Sequence, residues 1–389
     1  MKILFALSRF PYPTDKGDKL RAYYQLKWLG QRHDLYLVCL AGEEPSREDL
    51  AHINSFCKKV VVVRKGLFRR VWDLVCGFFS LMPFQVHYFA SPEMKRTIST
   101  LVNEEKIDIC YVQLVRLLKN IPENLPVKYY LDYMDALSEG MRKRYLASSW
   151  YEKLPVWIEY RRLKKCEASV LDDFDRFSII SEPDAQVIAV KKALDVIPNG
   201  VNEAFFTDRK ESKDFHLIFT GNMSYHPNVL ACKFLVKEVL PLLAKGEVYV
   251  KVCLAGTNPS PEVKALQSEQ VIVTGYVEDM VGYLCRSMIF VAPLFTGSGL
   301  QNKLLESMAV GLPVVTTPLA NSALQANPGQ QVVIAKDAQG FADSIIELLH
   351  NEEEREKIGL QGKAFIQKQY NWDDCNRKLE NAFYNLLKQ

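Results

Sequence analysis

The stretch Val291–Thr317, VAPLFTGSGLQNKLLESMAVGLPVVTT, decides how this chain reads. An apolar run from Met288 to Leu294 ends at Thr296-Gly297-Ser298-Gly299. Leu304, Leu305, Met308 and Ala309 then recur at helical spacing before Gly311 and a second apolar run. That order predicts strand, glycine turn, helix and strand. Glycines at such a junction let backbone N–H groups come close to a ligand, and the helix start adds partial positive charge, so the turn suits an anion such as a diphosphate. Lys303 brings a full charge to the first turn. Glu306 follows one helical step later on the same face, where a carboxylate accepts two hydrogen bonds from a diol such as a ribose. The same features also describe a plain βαβ unit in which the glycines only tighten a turn and Lys303 and Glu306 pair at the surface.

The chain has 389 residues, more than one ordinary core holds, and is expected to divide into two domains. Its composition, 48% apolar and 24% charged, is that of a soluble globular protein, and no apolar run approaches the roughly 20 residues of a membrane span. Between Lys2 and Arg9 the apolar stretch is too short for a signal-peptide core and reads as a buried first strand. Nine cysteines occur without C-x-x-C or zinc-like spacing. Cys39, Cys110 and Cys253 sit within apolar runs, which points to buried free thiols in a reducing cytoplasm and to no metal site. Residues 1–200 hold 31 Lys+Arg against 25 Asp+Glu, and residues 201–389 hold 18 against 21. The basic first half suits an anionic membrane surface or a phosphorylated acceptor, and the chain lacks the basic-aromatic motif of a nucleic-acid groove.

Through the first half, apolar runs alternate with amphipathic segments, the pattern of a parallel sheet covered on both faces. Strands are expected at Ile3–Leu7, Leu35–Leu40, Val60–Val63, Ile107–Val112, Val127–Leu131, Phe177–Ile180 and Val196–Pro198. Ligands of open sheets bind beyond the carboxyl ends of the strands, which singles out the segments that follow them. In Ser8–Arg21, Gly17, Lys19 and Arg21 stand where a helix begins near Asp18; an anion is favoured there, and so are ordinary solvated charges. In Leu131–Ser138, Asp132 and Asp135 are placed to act as a base or hold an acceptor, or simply to form turns and caps. The segment Arg64–Tyr88 combines Arg64, Lys65, Arg69 and Arg70 with Phe68, Trp72, Val75, Phe78 and Phe79. That is the composition of a helix lying on an anionic membrane, or of a basic helix in an acceptor groove. A second basic, aromatic helix, expected from Arg142 to Lys165 with Trp150, Trp157 and Arg161, carries the same two readings.

Pro198-Asn199-Gly200 turns the chain, and the polar stretch Thr207–Asp214 reads as a linker. The second half opens with the apolar run His216–Thr220, leading into Gly221, Asn222 and a helix start at Pro227. His226 is a candidate for catalysis or phosphate contact, with a plain cap by Ser224 or Asn222 as the ordinary alternative. Further strands are expected at Val248–Leu254 and Val271–Thr274.

The run Gly297–Val315 resembles the nucleotide-sugar signature of the family 4 glycosyltransferases, in the variant Gly-Ser-Gly-x-x-x-Lys-x-x-Glu-x-Met-Ala-x-Gly-x-Pro-Val-Val of bacterial exopolysaccharide sugar transferases. The resemblance covers nearly the whole chain and is strongest over residues 215–317. It implies the α/β GT-B fold, with two facing Rossmann-like domains of parallel sheets. Residues 1–205 form the acceptor side, 206–370 bind the nucleotide sugar, and 371–389 are a helix crossing back to the first domain. Val196–Phe206, VIPNGVNEAFF, resembles the family's inter-domain boundary. By the same resemblance, Gly17 and Arg21 lie near the donor phosphates, Gly221 and Asn222 open a second donor loop, and main-chain groups near Tyr276 and Val277 read the base. Gly297, Ser298, Gly299, Leu300, Lys303 and Glu306 then hold the donor.

The implied activity is retaining transfer of a sugar from a UDP- or GDP-linked donor to a hydroxyl of a saccharide or lipid-linked acceptor. It needs no metal or other cofactor and serves cell-surface or exopolysaccharide synthesis at the inner face of the membrane. Three departures from the family pattern stand out. Ser298 occupies the place of the first Glu in the usual Glu-x7-Glu. Asn222, His226 and Asn228 stand where many relatives carry Arg and Lys, leaving the positive charge to Lys303. No histidine falls between His87 and His216, where many members have one. A GT-B epimerase working at the same nucleotide site, and a non-catalytic two-domain nucleotide-binding protein, are the alternatives the sequence leaves open.

Overall fold

Short apolar runs bounded by polar turns become parallel strands when helices cover both of their faces. The structure, a computed structural model, describes residues 1–170, 173–188, 194–297 and 299–388, apart from the side chains of residues 70 and 147. The chain divides into two units, Met1–Pro198 with Asp373–Gln389, and Asn199–Trp372.

In the first unit, β1 (Lys2–Leu7), β2 (Asp34–Ala41), β3 (Lys59–Arg64), β4 (Ile109–Gln113), β5 (Lys128–Asp132), β6 (Arg176–Ile179) and β7 (Leu194–Val196) form a parallel sheet. Their order is β3-β2-β1-β4-β5-β6-β7. The central strand is apolar on both faces, Ile3, Leu4, Phe5 and Ala6 all being fully buried. In the second unit, β8 (Phe215–Thr220), β9 (Val252–Ala255), β10 (Val271–Gly275), β11 (Ser287–Ala292), β12 (Val314–Thr316) and β13 (Val333–Ile334) are likewise parallel, in the order β10-β9-β8-β11-β12-β13. Each sheet therefore reverses its strand order once, between β1 and β4 and between β8 and β11. Crevices beyond the carboxyl ends of strands at such reversals are where open α/β sheets bind ligands.

Several expected boundaries move. The seventh strand lies at Leu194–Val196, not Val196–Pro198. The first unit ends at Pro198, ahead of residue 205, because Val201 N–H donates to Tyr370 O at 2.7 Å and Phe205 and Phe206 pack on the second core. The last helix, Trp372–Leu387, buries Cys375, Leu379, Ala382, Phe383 and Leu386 in the first unit, where Phe383 sits edge-on to Tyr130 at 5.0 Å. The expected helix over Arg142–Lys165 is two helices, Leu137–Ala147 and Trp150–Ser169. They part at Ser148, whose hydroxyl donates to Arg144 O at 2.8 Å, the local bonding by which serine competes with a helix backbone. Arg64 belongs to β3, and Lys65 is buried against Asp73 at 2.7 Å, so neither contributes to the surface of the helix Leu67–Phe78 that follows.

The largest correction concerns Arg21 and Asp132, expected to hold the donor and to serve in catalysis. Both are fully buried. Arg21 Nε donates to Asp132 Oδ2 at 2.6 Å, and Nη1 donates to Ile197 O at 2.9 Å and Pro198 O at 3.3 Å. The Tyr111 hydroxyl bonds the same carboxylate, whose other oxygen accepts from Met134 N–H at 3.1 Å. Burial, the largest single effect, lowers a guanidinium's pKa; the Asp132 charge, Tyr111 and the hydrogen bond to Asp132 together outweigh it and hold Arg21 above its ordinary value. The reason lies in the helix Gly17–Leu29, whose inward stripe is Asp18, Arg21, Ala22, Gln25, Leu26 and Leu29, half of it polar. Removing one member of a buried ion pair strands the other, so Arg21→Ala should cost about 3–5 kcal/mol in the urea unfolding of the full chain.

Candidate functional site

In the second unit the loops after β8 and β11 meet at the strand reversal. Two buried threonines fix the end of β11: Thr316 Oγ1 donates to Ala292 O at 2.8 Å and Thr317 Oγ1 to Leu294 O at 2.6 Å. The chain then turns through Gly297 and Gly299, with φ of 112° and 76°, values that favour glycine. Ser298, between them, lies outside the described residues. Leu300 packs half-buried on the core, and the helix Asn302–Val310 begins without a side-chain cap, which leaves first-turn N–H groups available to an anion. Leu304, Leu305, Met308 and Ala309 anchor this helix, each at most 1% exposed.

Lys303 reaches across to the helix His226–Phe234 that follows β8. Its ammonium hydrogen-bonds Asn228 Oδ1 and stands 4.8 Å from the centre of the Phe219 ring. Asn228 is buried, and its Nδ2 donates to Asn222 O at 2.8 Å. Backbone packs tightly below: a Cβ on Gly256 would fall 1.7 Å from Gly221 O, and one on Gly221 would fall 2.7 Å from Asn228 Nδ2 and 3.1 Å from Lys303 Nζ. The expected cap of the next helix, His226–Phe234, is absent. Asn222 Oδ1 instead accepts from Ser224 N–H at 3.0 Å and from its hydroxyl at 2.8 Å, and His226 is exposed at the helix start.

Lys303 and Glu306 are not an ion pair. Each keeps a solvent-reachable strip but lies deep enough for burial to dominate its ionisation. Burial lowers Lys303 to about 8, against the smaller opposing effects of Cys232 and Glu306. Burial lifts Glu306 to about 7, against the pull of Lys303. An under-compensated ammonium thus sits beside an easily protonated carboxyl, next to open helix N–H groups. The arrangement suits a ligand that brings negative charge to the lysine and hydroxyls to the carboxylate. Tyr276, 72% exposed, and half-buried Val277 follow β10 at the edge of the same sheet.

In the first unit, Gly17 is exposed, with ordinary backbone and no atom within 4 Å of where a Cβ would stand, so the geometry does not demand glycine there. Asp135 stays at the carboxyl edge of the sheet while Asp132 is withdrawn. Burial lifts the Asp135 carboxyl to about 7, reinforced by Asp184 and Asp132 and opposed by Arg21 and Arg116. A carboxyl titrating near neutrality is matched to general-base work. Two residues outside the expected set complete the second-unit site: Asn228, which holds Lys303, and Gly256, which makes room for Gly221. Asn228 stands in the first turn of the helix that follows β8, but nothing in its neighbours marks it as the lysine's partner.

Known proteins resemble this chain in sequence and in fold. Residues 214–351 match the family model described as Glycosyl transferases group 1. Over its length the chain is similar to an uncharacterised 44.6 kDa protein in the cps region of Klebsiella pneumoniae, 22% identical across 95% of this chain and 96% of that one. Among solved structures it is similar to a sucrose-phosphate synthase from Thermosynechococcus elongatus, at TM-score 0.72 and 13% identity over the whole of both chains. It is also similar to Anabaena HepE in complex with UDP-glucose, at TM-score 0.65 and 12% identity, over 99% of this chain and 100% of that one. The two parallel-sheet, Rossmann-like units are those of the GT-B fold.

The raised Glu306 carboxyl has a consequence for stability. Folding favours its protonated form, so its contribution is complete below the ordinary glutamate range and is lost as pH rises through about 7. Glu306→Gln should therefore gain on the native chain between pH 5 and pH 8, on the order of 1 kcal/mol by urea midpoints. An equal pH dependence in both proteins would remove the basis for this assignment.

Proposed function

We propose that this chain, whose residues 214–351 match the group 1 glycosyl transferase model, moves a sugar from a UDP- or GDP-linked donor to a hydroxyl of a saccharide or lipid-linked saccharide. The observation that carries the reading is the meeting of Lys303, Asn228 and an uncapped helix start at one strand reversal, with Glu306 one turn along. In this reading the helix N–H groups and Lys303 take the donor diphosphate, Glu306 takes the ribose diol, and the backbone by Tyr276 and Val277 takes the base. The same positive groups offset charge on the departing diphosphate, the work that a metal does in other transferases. Asp135 is the first-unit candidate for the acceptor's base, and the anomeric configuration of the donor is retained. Synthesis of a cell-surface polysaccharide is the setting suggested by the cps-region relative.

The reading extends to a place of work. No helix among the described residues is long and apolar enough to cross a membrane. The helix Leu67–Phe78 and the residue after it nevertheless expose Phe68 at 95%, Trp72 at 67% and Phe79 at 90%, with Val71, Val75 and Phe78 completing a helical stripe. Cys76, on the same helix, is the exposed member of nine free cysteines. The helix Trp150–Ser169 adds exposed Trp150, Tyr151 and Leu154, and it is tied to the first stripe by Arg162, which donates to Gly77 O at 3.0 Å and Phe78 O at 3.2 Å. Arg69, Lys153 and Arg161 are exposed on these helices, and Arg144 is exposed on the preceding helix Leu137–Ala147. Aromatic apolar surface flanked by cations fits the interface of an anionic membrane. The protein is then cytoplasmic, resting on the inner face.

Nucleotide binding tests the core of this proposal. UDP or GDP at 100 times its dissociation constant should stabilise the chain by about 2.7 kcal/mol, visible as a thermal shift, and Lys303→Ala should abolish most of it. Because a phosphate restores charge beside Lys303, binding near pH 8 should also take up a proton, seen as buffer-dependent heat in calorimetry. A chain indifferent to every nucleotide diphosphate would sink the transferase reading. For the membrane, co-sedimentation with phosphatidylglycerol vesicles should fall with salt and be lost in Phe68→Glu/Trp72→Glu; vesicle binding untouched by that double substitution would dismiss the stripe.

A further inference from the structure

At the strand reversal of the first unit two arginines converge on one carboxylate. Arg9 follows β1 and Arg116 lies in the helical turn Val115–Asn120 after β4. Arg9 Nη1 pairs closely with Asp18 Oδ2, while Arg116 Nη2 is 3.9 Å from the same oxygen. Both guanidinium groups lie over the buried Phe89 ring, at 5.9 Å and 4.9 Å from its centre. The Arg116 side chain is 11% exposed, and its Nε is buried without a hydrogen-bond partner.

Arg21 shows what a structural arginine looks like in this sheet: a carboxylate at 2.6 Å and two carbonyls share its donors. Arg116 has one long contact to an oxygen already taken. Burial lowers its pKa to about 10; Asp18 and Asp135 pull against that, and the neighbouring Arg9 adds to it. Residues holding positive φ stand just ahead of both edge groups, Leu114 at 72° two residues before Arg116 and Met134 at 59° before Asp135. Asp18 lies in the first turn of the helix Gly17–Leu29, which has no side-chain cap, so its open N–H groups add to the field.

We propose that Arg9 and Arg116 form a phosphate site in the first unit and that the acceptor carries a phosphate ester or diphosphate there. The word acceptor rests on the transferase reading; the anion site does not. A phosphate oxygen supplies Arg116 Nε and the unused guanidinium N–H groups with the partners that Asp18 does not give them, in the forked geometry arginine offers.

Inorganic pyrophosphate is the probe, titrated by calorimetry into the full chain carrying Lys303→Ala, which removes the lysine of the other unit. Pyrophosphate should bind, and adding Arg116→Gln should weaken it at least tenfold. Arg9→Gln, at the more exposed partner, should do the same if Arg116→Gln folds poorly. Affinity indifferent to both substitutions, or no binding in the Lys303→Ala chain, overturns the site. UDP titrated into Arg116→Gln with Lys303 intact reads the other unit alone: undiminished UDP binding beside arginine-indifferent pyrophosphate binding leaves the transferase reading standing and this inference refuted. Co-sedimentation with phosphatidylglycerol vesicles separates the sources of phosphate. Unchanged sedimentation of Arg116→Gln assigns the site to the acceptor, and lost sedimentation assigns it to lipid headgroups and overturns the acceptor placement.

Discussion

A lysine held by an amide instead of a carboxylate is the constraint on which the second unit's site depends. Had Lys303 met Glu306, both charges would have been neutralised and the crevice would be inert. Asn228 instead fixes the ammonium through a neutral oxygen and keeps its charge unspent. Holding Asn228 there sets the turn after β8 against Lys303 on one side and the turn after β9 on the other, and this in turn demands bare backbone at Gly221 and Gly256. The threonines that end β12 set the height of the turn from below. The local geometry is therefore over-determined around one charge.

The two units use one strand order for different ends. Each sheet reverses beside its first strand, and each gathers cations there. In the second unit the cation is single and half-buried, with helix N–H groups beside it. In the first, one arginine has been drawn into the core as a structural tie between a helix, β5 and the chain's exit at Pro198, while two others remain at the edge with a single carboxylate between them. An inverse distribution of spent and unspent charge is how nearly identical sheets come to offer different chemistry.

Much of this was legible in the residues. The spacing from Gly297 through Lys303 and Glu306 to the apolar run after Gly311 read correctly as turn, helix and strand because each step depends on local chemistry: glycine torsion, helical period, an apolar run. The strands were legible for the same reason, their apolar runs being short and bounded. What escaped is non-local. Arg21 looked like an edge charge because the inward stripe of its helix is half polar, Asp132 because it closes β5, and pairing across 111 residues leaves no local trace. Arg116 sits in VRLLKN as an ordinary cation until the fold sets it over Phe89. The two-residue β13 carries too little pattern to be seen, and the Ser148–Ser149 break was hidden by helix formers on both sides.

The distribution of sulfur across the chain has a practical side. Eight of the nine thiols are buried, and burial pushes every one of them up, so they resist alkylation at neutral pH. Cys76 stands outside on the aromatic helix. A maleimide dye or spin label added to the unaltered chain therefore goes to one place, and that place is the surface whose surroundings are in question. The molecule carries its own reporter, and depth, polarity and solvent access at that helix are readable without engineering a single residue.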